Sequence, residues 1–171
     1  CVWSATEVFL AHVGPLPATP EVRGLTIEPG GEANLVAYAT VKLKGFADSE
    51  AEPSSEALAA ELAVRRAELA GDGELLLARV DGEPVAILGA IAGPDWLVFQ
   101  LATRLPFRGR GIARCLLGRL LEAARGRGAG AVLINADPAD TPVDLYRRLG
   151  FTDEVYWRRT YVLPADGAGA P

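Results

Sequence analysis

One stretch of this chain constrains its fold more than any other: an apolar run that ends in a basic, glycine-rich turn and then becomes a helix. It reads FQLATRLPFRGRGIARCLLGRLLEAA and occupies residues 99–124. The apolar positions after the turn recur at helical spacing, which predicts a helix from about residue 112 to residue 125. A strand that leads through a short turn into a helix is typical of α/β proteins, so the sequence predicts that fold class.

The first half of the chain is predicted to alternate between strands and helices. Residues 1–13 are predicted to form a strand or a short strand pair, residues 14–24 a proline-containing connector, and residues 25–29 a short strand. Two helices follow, over residues 32–46 and from about residue 55 to residue 70, the second with Ser55 as its cap.

The second half is predicted to begin with a meander. Residues 74–103 contain three apolar runs separated by turn signals, which indicates three antiparallel strands. Residues 131–135 form a short apolar run typical of a buried strand, and residues 140–150 predict a short helix with Asp140 or Thr141 as its cap. The last strand places Val155, Trp157, Tyr161 and Leu163 on one face. Trp96, Phe99 and Trp157 are expected to fill the core or to shape a pocket.

Composition limits the class of protein and its partners. The formal net charge is -5, which argues against a general nucleic-acid binder, and no apolar run is long enough to span a membrane. Cys115 lies in an apolar helical pattern, which indicates a reduced thiol and predicts a cytoplasmic protein. The chain contains no Met, which indicates a trimmed chain whose missing part is a tag, a few residues or a whole preceding domain. Residues 1–23 are an N-terminal segment, and the remnant of a preceding domain is one interpretation of it. Residues 24–163 are then the folded domain and residues 164–171 a disordered tail.

The basic turn has a physical interpretation as an anion site. A helix N-terminus carries unpaired N–H groups and a partial positive charge, and glycines let an anion approach the backbone closely. Arg108, Arg110 and Arg114 could add charge-assisted contacts to a pyrophosphate. A solvated connecting turn is the alternative interpretation. Two other phosphate motifs are absent, because no G-x-x-x-x-G-K-[ST] occurs and Arg114 stands where the third glycine of G-x-G-x-x-G belongs.

The same turn resembles a family signature. The residues from Arg108 to Ala113 match Q/R-x-x-G-x-G/A, and LYRRLGF at residues 145–151 matches a second feature, a tyrosine in a short helix ahead of Gly-Phe. On these two motifs and the order of elements, the chain resembles the GNAT-type N-acetyltransferases over about residues 25–163. The resemblance implies the acetyltransferase (GNAT) fold, with a central mixed, mostly antiparallel sheet flanked by helices.

The resemblance also implies a cosubstrate, acetyl-CoA, and no metal. Its pantetheine arm would lie between two diverging strands, along the backbone of Leu101, Ala102 and Thr103. Its pyrophosphate would bind the segment made of Arg108, Gly109, Arg110, Gly111, Ile112 and Ala113. Many relatives have an asparagine where this chain has Ala139, so Asn135 is a substitute candidate for contacting the pantetheine.

Acetyl transfer needs a proton donor and a base. Tyr146 is the predicted donor to the departing thiolate, since a phenol with a pKa of about 10 stays protonated at neutral pH. The alternative is that Tyr146 only packs beside the cosubstrate. Asp95, Glu83 and His12 are candidates for the base, and the sequence favours none of them. The acidic segment of residues 47–56 suggests a cationic acceptor.

The predicted function is therefore direct transfer of an acetyl group from acetyl-CoA to a primary amine by an N-acetyltransferase. The acceptor is a small-molecule or peptide amine, no nucleic acid or membrane takes part, and a homodimer is left open. The alternative is a non-catalytic acyl-CoA-binding module of a tandem acetyltransferase-like protein. A purely structural interaction domain, with no affinity for CoA, is a third hypothesis.

Overall fold

The computed structural model describes residues 2–12, 14–16, 18–137 and 142–162, with backbone alone at residues 2–5, 142 and 159–162. A 3-10 turn (Leu105–Phe107) links the fifth strand to the third helix. The predictions for Cys1, Ala139, Asp140, Thr141, Leu163 and the tail lie outside the described residues. The strands are β1 (Val2–His12), β2 (Leu25–Pro29), β3 (Gly73–Val80), β4 (Glu83–Ile91), β5 (Trp96–Thr103), β6 (Val132–Ala136) and β7 (Phe151–Val162). The helices are α1 (Leu35–Phe46), α2 (Ser55–Leu69), α3 (Ile112–Gly126) and α4 (Pro142–Arg148).

The described strands form one seven-stranded sheet. Their order is β2-β3-β4-β5-β6-β1-β7. All neighbouring pairs are antiparallel except β5 and β6, which run parallel. The predicted α/β class and the mixed, mostly antiparallel sheet are confirmed, and so is the meander of β3, β4 and β5. Asp81 and Gly82 form the first turn of that meander, both at positive φ.

The N-terminal strand lies inside the sheet. β1 pairs with β6 through Phe9 and Asn135, and on its other side it pairs with β7 through Phe9 and Tyr156. The sequence predicts a strand here, and the pairing places it between two strands that are more than a hundred residues away. β1 therefore contributes side chains to the middle of the fold.

The core has a layer on each face of the sheet. The larger layer joins α3, through Leu116, Leu117 and Leu120, to side chains of β1, β4, β5 and β6. The other layer joins α1 to Leu77 and Ile87 of the neighbouring strands. Burying a leucine of this kind contributes about 1.5–3 kcal/mol to stability. The helices thus fix the middle strands of the sheet from both sides.

Two helix starts differ from the predictions. α1 begins at Leu35 and not at residue 32, because the Asn34 side chain accepts the Gly31 N–H at 2.8 Å and donates to the Pro29 carbonyl. These bonds hold residues 31–34 in a turn. The cap of α2 is Ser54 and not Ser55, since the Ser54 hydroxyl accepts the Ala57 N–H at 3.1 Å.

The aromatic side chains divide between core and surface. Trp96 is fully buried, as expected, whereas Trp157 is 49% exposed. The prediction that Trp157 fills the core or shapes a pocket is wrong, because β7 is the edge strand and its side chains from Thr152 to Arg158 are exposed. No helix in the described part of the chain is long and apolar enough to span a membrane.

His12 gives a pH-dependent contribution to stability. Its ring is buried edge-on against Phe151, and burial, followed by the charge of Arg125, lowers its pKa. The unfolded chain, with a histidine pKa of about 6.5, therefore binds the proton more readily than the folded protein. The associated stability is present above that value and lost as the pH falls through it.

We expect the free energy of unfolding, measured by urea titration, to fall as the pH is lowered from about 7.5 to about 5.5. His12 is the only histidine, so His12→Asn should flatten the profile in this window. An unchanged slope in the variant would assign the pH dependence to other groups.

Candidate functional site

A gap opens in the sheet where β5 and β6 diverge. Within the described residues the two strands pair only through Trp96, Leu97 and Val98. Phe99 is the extra residue of a register shift in β5, since Gly89 pairs with Gln100 and Ala90 with Val98. A bulge of this kind bends its strand, and beyond it β5 pairs only with β4. Among the described residues, no strand pairs with the β6-facing edge of β5 at Leu101, Ala102 and Thr103, where the Thr103 carbonyl accepts a hydrogen bond from Arg108.

A cleft of about 200 Å³ occupies this gap. Asn135 and Tyr146 both line it, with residues from β1, α1, β5 and β6. The full lining is Glu7, Phe46, Val98, Phe99, Gln100, Leu101, Ile134, Asn135, Ala136, Asp137 and Tyr146. The cleft joins both faces of the sheet, because Tyr146 packs in the α3 layer with Ile134 whereas Asn135 alternates to the opposite face.

The open strand is held in place from the α1 side. Gln100 donates a hydrogen bond to the Tyr38 hydroxyl at 2.7 Å, and both residues are buried. Burial also raises the pKa of Tyr38, so this phenol stays protonated. The Arg65 guanidinium lies 5.6 Å from the centre of the Phe99 ring. Both contacts fix β5 at the point where the cleft begins.

The N-terminus of α3 has the geometry of an anion site. Gly109 and Gly111 adopt φ angles of 74° and 83°, in the left-handed region, and Gly111 is the N-cap. Among the described residues no side chain caps this end, and no acidic residue lies in the first turn, so the first amides have no side-chain partner there. A Cβ on Gly111 would lie 2.5 Å from the Pro20 Cγ, so only glycine fits there.

The side chains of Arg108 and Arg110, the two arginines of the turn, bind other groups of the protein. The Arg108 guanidinium donates to the carbonyls of Thr103 at 3.0 Å and Gly45 at 2.8 Å, and it also pairs with Asp48. Arg110 donates to the Pro106 carbonyl and lies over the Phe107 ring. Contacts of these arginines with a phosphate stay a prediction. In the structure, Arg108 links the end of α1 to the turn.

The acidic segment after α1 is largely neutralised by the protein itself. Asp48 pairs with Arg108, Glu50 with Arg104, and Glu52 with Lys44. The hydrogen bond from Arg104 lowers the pKa of the Glu50 carboxyl, which keeps that carboxyl ionised and paired. None of these three carboxylates lines the cleft, and the protein's own cations balance their charge, so the acidic-rim hypothesis loses this support.

The three carboxylate and histidine candidates for a base do not line the cleft. Asp95 accepts the Ala131 N–H at 2.8 Å in an exposed turn, Glu83 pairs with Arg104, and His12 is buried beside Phe151. Among the described residues, no three His, Cys, Asp or Glu side chains are grouped to hold a metal ion.

Glu7 is a carboxylate of the cleft that the sequence patterns do not identify. It lies on β1, and its Oε1 accepts the Asn135 amide at 2.6 Å while its Oε2 accepts the Arg158 Nε at 2.6 Å. Its place depends on the insertion of β1 beside β6. Residues 1–13 carry no local signal of that insertion, so the sequence alone could not have identified Glu7.

Comparisons with known proteins agree with this architecture. A sequence model of the acetyltransferase (GNAT) family matches residues 38–151, from α1 to the first residue of β7. A functionally unknown conserved protein from Staphylococcus epidermidis has a similar structure, with a TM-score of 0.64 and 19% identity. The alignment covers 91% of this chain and 57% of that one, so the chain spans little more than half of that protein.

Two further solved structures are similar along almost their whole length. An aminoglycoside acetyltransferase from an uncultured soil metagenomic sample has a TM-score of 0.62 and 27% identity, over 83% of this chain and 99% of the other. A predicted acetyltransferase with acetyl-CoA from Clostridium acetobutylicum has a TM-score of 0.63 and 18% identity, over 80% and 96% of the two chains.

Proposed function

The chain belongs to the acetyltransferase (GNAT) family, and we propose that it is an N-acetyltransferase that moves an acetyl group from acetyl-CoA directly to a primary amine. The observation that carries the proposal is the open edge of β5, which leads to the uncapped N-terminus of α3. A pantetheine arm needs an extended hydrogen-bonding edge, and a pyrophosphate needs unpaired amides.

The residues of these two features would hold acetyl-CoA. The backbone of Leu101, Ala102 and Thr103 would bond to the pantetheine, and Asn135 faces the same cleft. The amides from Gly109 to Ala113 would bind the pyrophosphate, with Arg108 and Arg110 beside them. The similar structure from Clostridium acetobutylicum, which contains acetyl-CoA, supports the choice of cosubstrate.

The chemistry would take place in the cleft. A backbone N–H on β5 would stabilise the oxyanion that forms when the amine attacks the thioester, as fixed donors do in other acyl transfers. Tyr146 lines the cleft and is 8% exposed, so its hydroxyl is a suitable proton donor to the departing thiolate. The similar aminoglycoside acetyltransferase supports a small-molecule amine as the acceptor.

The proposal is tested by binding and turnover together. We expect calorimetry to detect binding of acetyl-CoA and of CoA, and a panel of primary amines to release CoA thiol with formation of the acetylated amine. Mass spectrometry identifies the product. Binding without turnover on any amine would favour the non-catalytic module, and no binding at all would contradict both functions.

A further inference from the structure

We propose that Glu7 receives the acceptor amine and takes its proton, so that the acceptor is a primary alkylamine that enters as an ammonium ion. The inference rests on the proposed acetyl transfer and deepens it. It assigns to β1 a residue of the reaction, although β1 lies outside the segment that the family model matches.

The position of Glu7 is opposite to that of Tyr146. Residues of β6 alternate, so Ile134 faces the α3 layer with Tyr146, whereas Asn135 faces the other side and bonds to Glu7. Both Glu7 and Tyr146 line the same cleft. An amine held at Glu7 therefore approaches the cleft from one face of the sheet while the proposed proton donor lies on the other.

Two neighbours hold the Glu7 carboxylate in one orientation. The Asn135 amide donates to Oε1 at 2.6 Å, and the Arg158 Nε donates to Oε2 at 2.6 Å. A carboxylate oxygen has two acceptor sites, so Oε1 keeps one for an N–H of the substrate. The Glu7 side chain is 23% exposed, which leaves it reachable from the cleft. Asn135 and Arg158 are positioning residues in this scheme.

The other groups around the cleft favour Glu7 over alternatives. Asp137, the second carboxylate of the described lining, is exposed and directly follows the last residue of β6. Phe46 and Phe99 line the cleft too, which suits the carbon chain of an alkylamine. Among the described residues, the charged and titratable groups near Glu7 are Arg158, which contacts it, and Asp137 and Tyr146, which line the same cleft.

The proton balance of the step is complete. One proton passes from the ammonium nitrogen to a Glu7 oxygen, and the freed lone pair forms the bond to the thioester carbon. The carbon–sulfur bond breaks, and the thiolate takes the Tyr146 proton. A second proton leaves the same nitrogen as the amide forms and restores the Tyr146 hydroxyl through solvent. Glu7 releases its proton to water, so the products are the acetylated amine, CoA thiol and one proton.

The test compares benzylamine, which is protonated at pH 7, with aniline, which is neutral there. We expect Glu7→Gln to lower kcat/KM for benzylamine about thirtyfold relative to aniline, as the loss of a bond to a charged group predicts. Raising the pH from about 7 to about 9 should restore much of the benzylamine rate in the variant, because free amine then forms in solution. Glu7→Asp keeps the charge, so its kcat/KM for benzylamine relative to aniline should lie between the values of Glu7→Gln and of the wild type.

Glu154→Gln is the matched control, since Glu154 lies on β7, pairs with Arg147 of α4 and does not belong to the cleft lining. This variant should leave the ratio of kcat/KM for benzylamine to kcat/KM for aniline unchanged. Equal losses on both amines in Glu7→Gln, or a loss that appears in Asp137→Asn alone, would overturn the inference. If the wild-type protein acetylates neither of these amines and no other amine of the panel, the proposed function itself is contradicted.

Discussion

Replacing Ala113 with Glu is expected to weaken acetyl-CoA binding at least about a hundredfold, which corresponds to about 2.7 kcal/mol. Ala113 is the second residue of α3, in the turn whose amides would hold the pyrophosphate. A carboxylate there repels the phosphates and competes with them for the same N–H groups. Calorimetric titration with acetyl-CoA measures the loss directly.

The same substitution should leave the fold intact. An acidic side chain in the first turn of a helix is favourable by about 0.3–1 kcal/mol, and Ala113 belongs to neither buried core layer. The thermal midpoint of the variant should therefore equal or exceed that of the wild type. Ala113→Gln is the matched control, because it adds the same bulk without the charge. If the Gln and Glu variants bind acetyl-CoA equally well, the phosphates do not bind at this helix end.

Local signals explain which elements could be predicted from the sequence. The stripe of α3 and the Asp81-Gly82 turn depend on residues close in the chain, and the structure has both where they are expected. The insertion of β1 could not be predicted, because it results from pairing with β6 and β7 across more than a hundred residues. No turn or spacing in residues 1–13 encodes that pairing.

The residues of the candidate site also divide into those that local sequence predicts and those that depend on distant contacts. The sequence identifies Gly109 and Gly111 because glycines at a helix start let an anion approach the backbone and because both match the family signature, and the structure gives both a positive φ. The orientation of Arg108 was not foreseen, since its partners Gly45 and Asp48 are distant in sequence. Glu7 could not be identified from the sequence for the same reason, because it lines the cleft only through the pairing of β1 with β6.

Hydrogen bonds tie α1 to both parts of the proposed acetyl-CoA site. Arg108 links the turn before α3 to the end of α1, where Phe46 lines the cleft. Gln100 links β5 to Tyr38 of the same helix. α1 is thereby tied both to the strand that would bind pantetheine and to the turn that would bind pyrophosphate. A shift of α1 would move both parts together.

Removing one hydroxyl should distinguish an enzyme from a module that only binds acyl-CoA. We expect Tyr146→Phe to lower kcat about a hundredfold or more, because a positioned general acid typically contributes about 10²–10⁴ to the rate. The ring remains packed against Phe151, at 6.3 Å between centroids, so the shape of the cleft and the affinity for acetyl-CoA should change little. Steady-state release of CoA thiol gives kcat, and calorimetry gives the affinity.

Tyr156→Phe is the control for Tyr146→Phe, since Tyr156 is 49% exposed on β7, stacks on Phe9 and does not line the cleft. Its kcat should equal that of the wild type. A Tyr146→Phe variant that keeps full turnover would show that the thiolate takes its proton from water or from another group, and Tyr146 would then only pack beside the cosubstrate. A loss of acetyl-CoA affinity as large as the loss of rate would assign Tyr146 to binding, because proton donation acts in the transition state and not in the bound ground state.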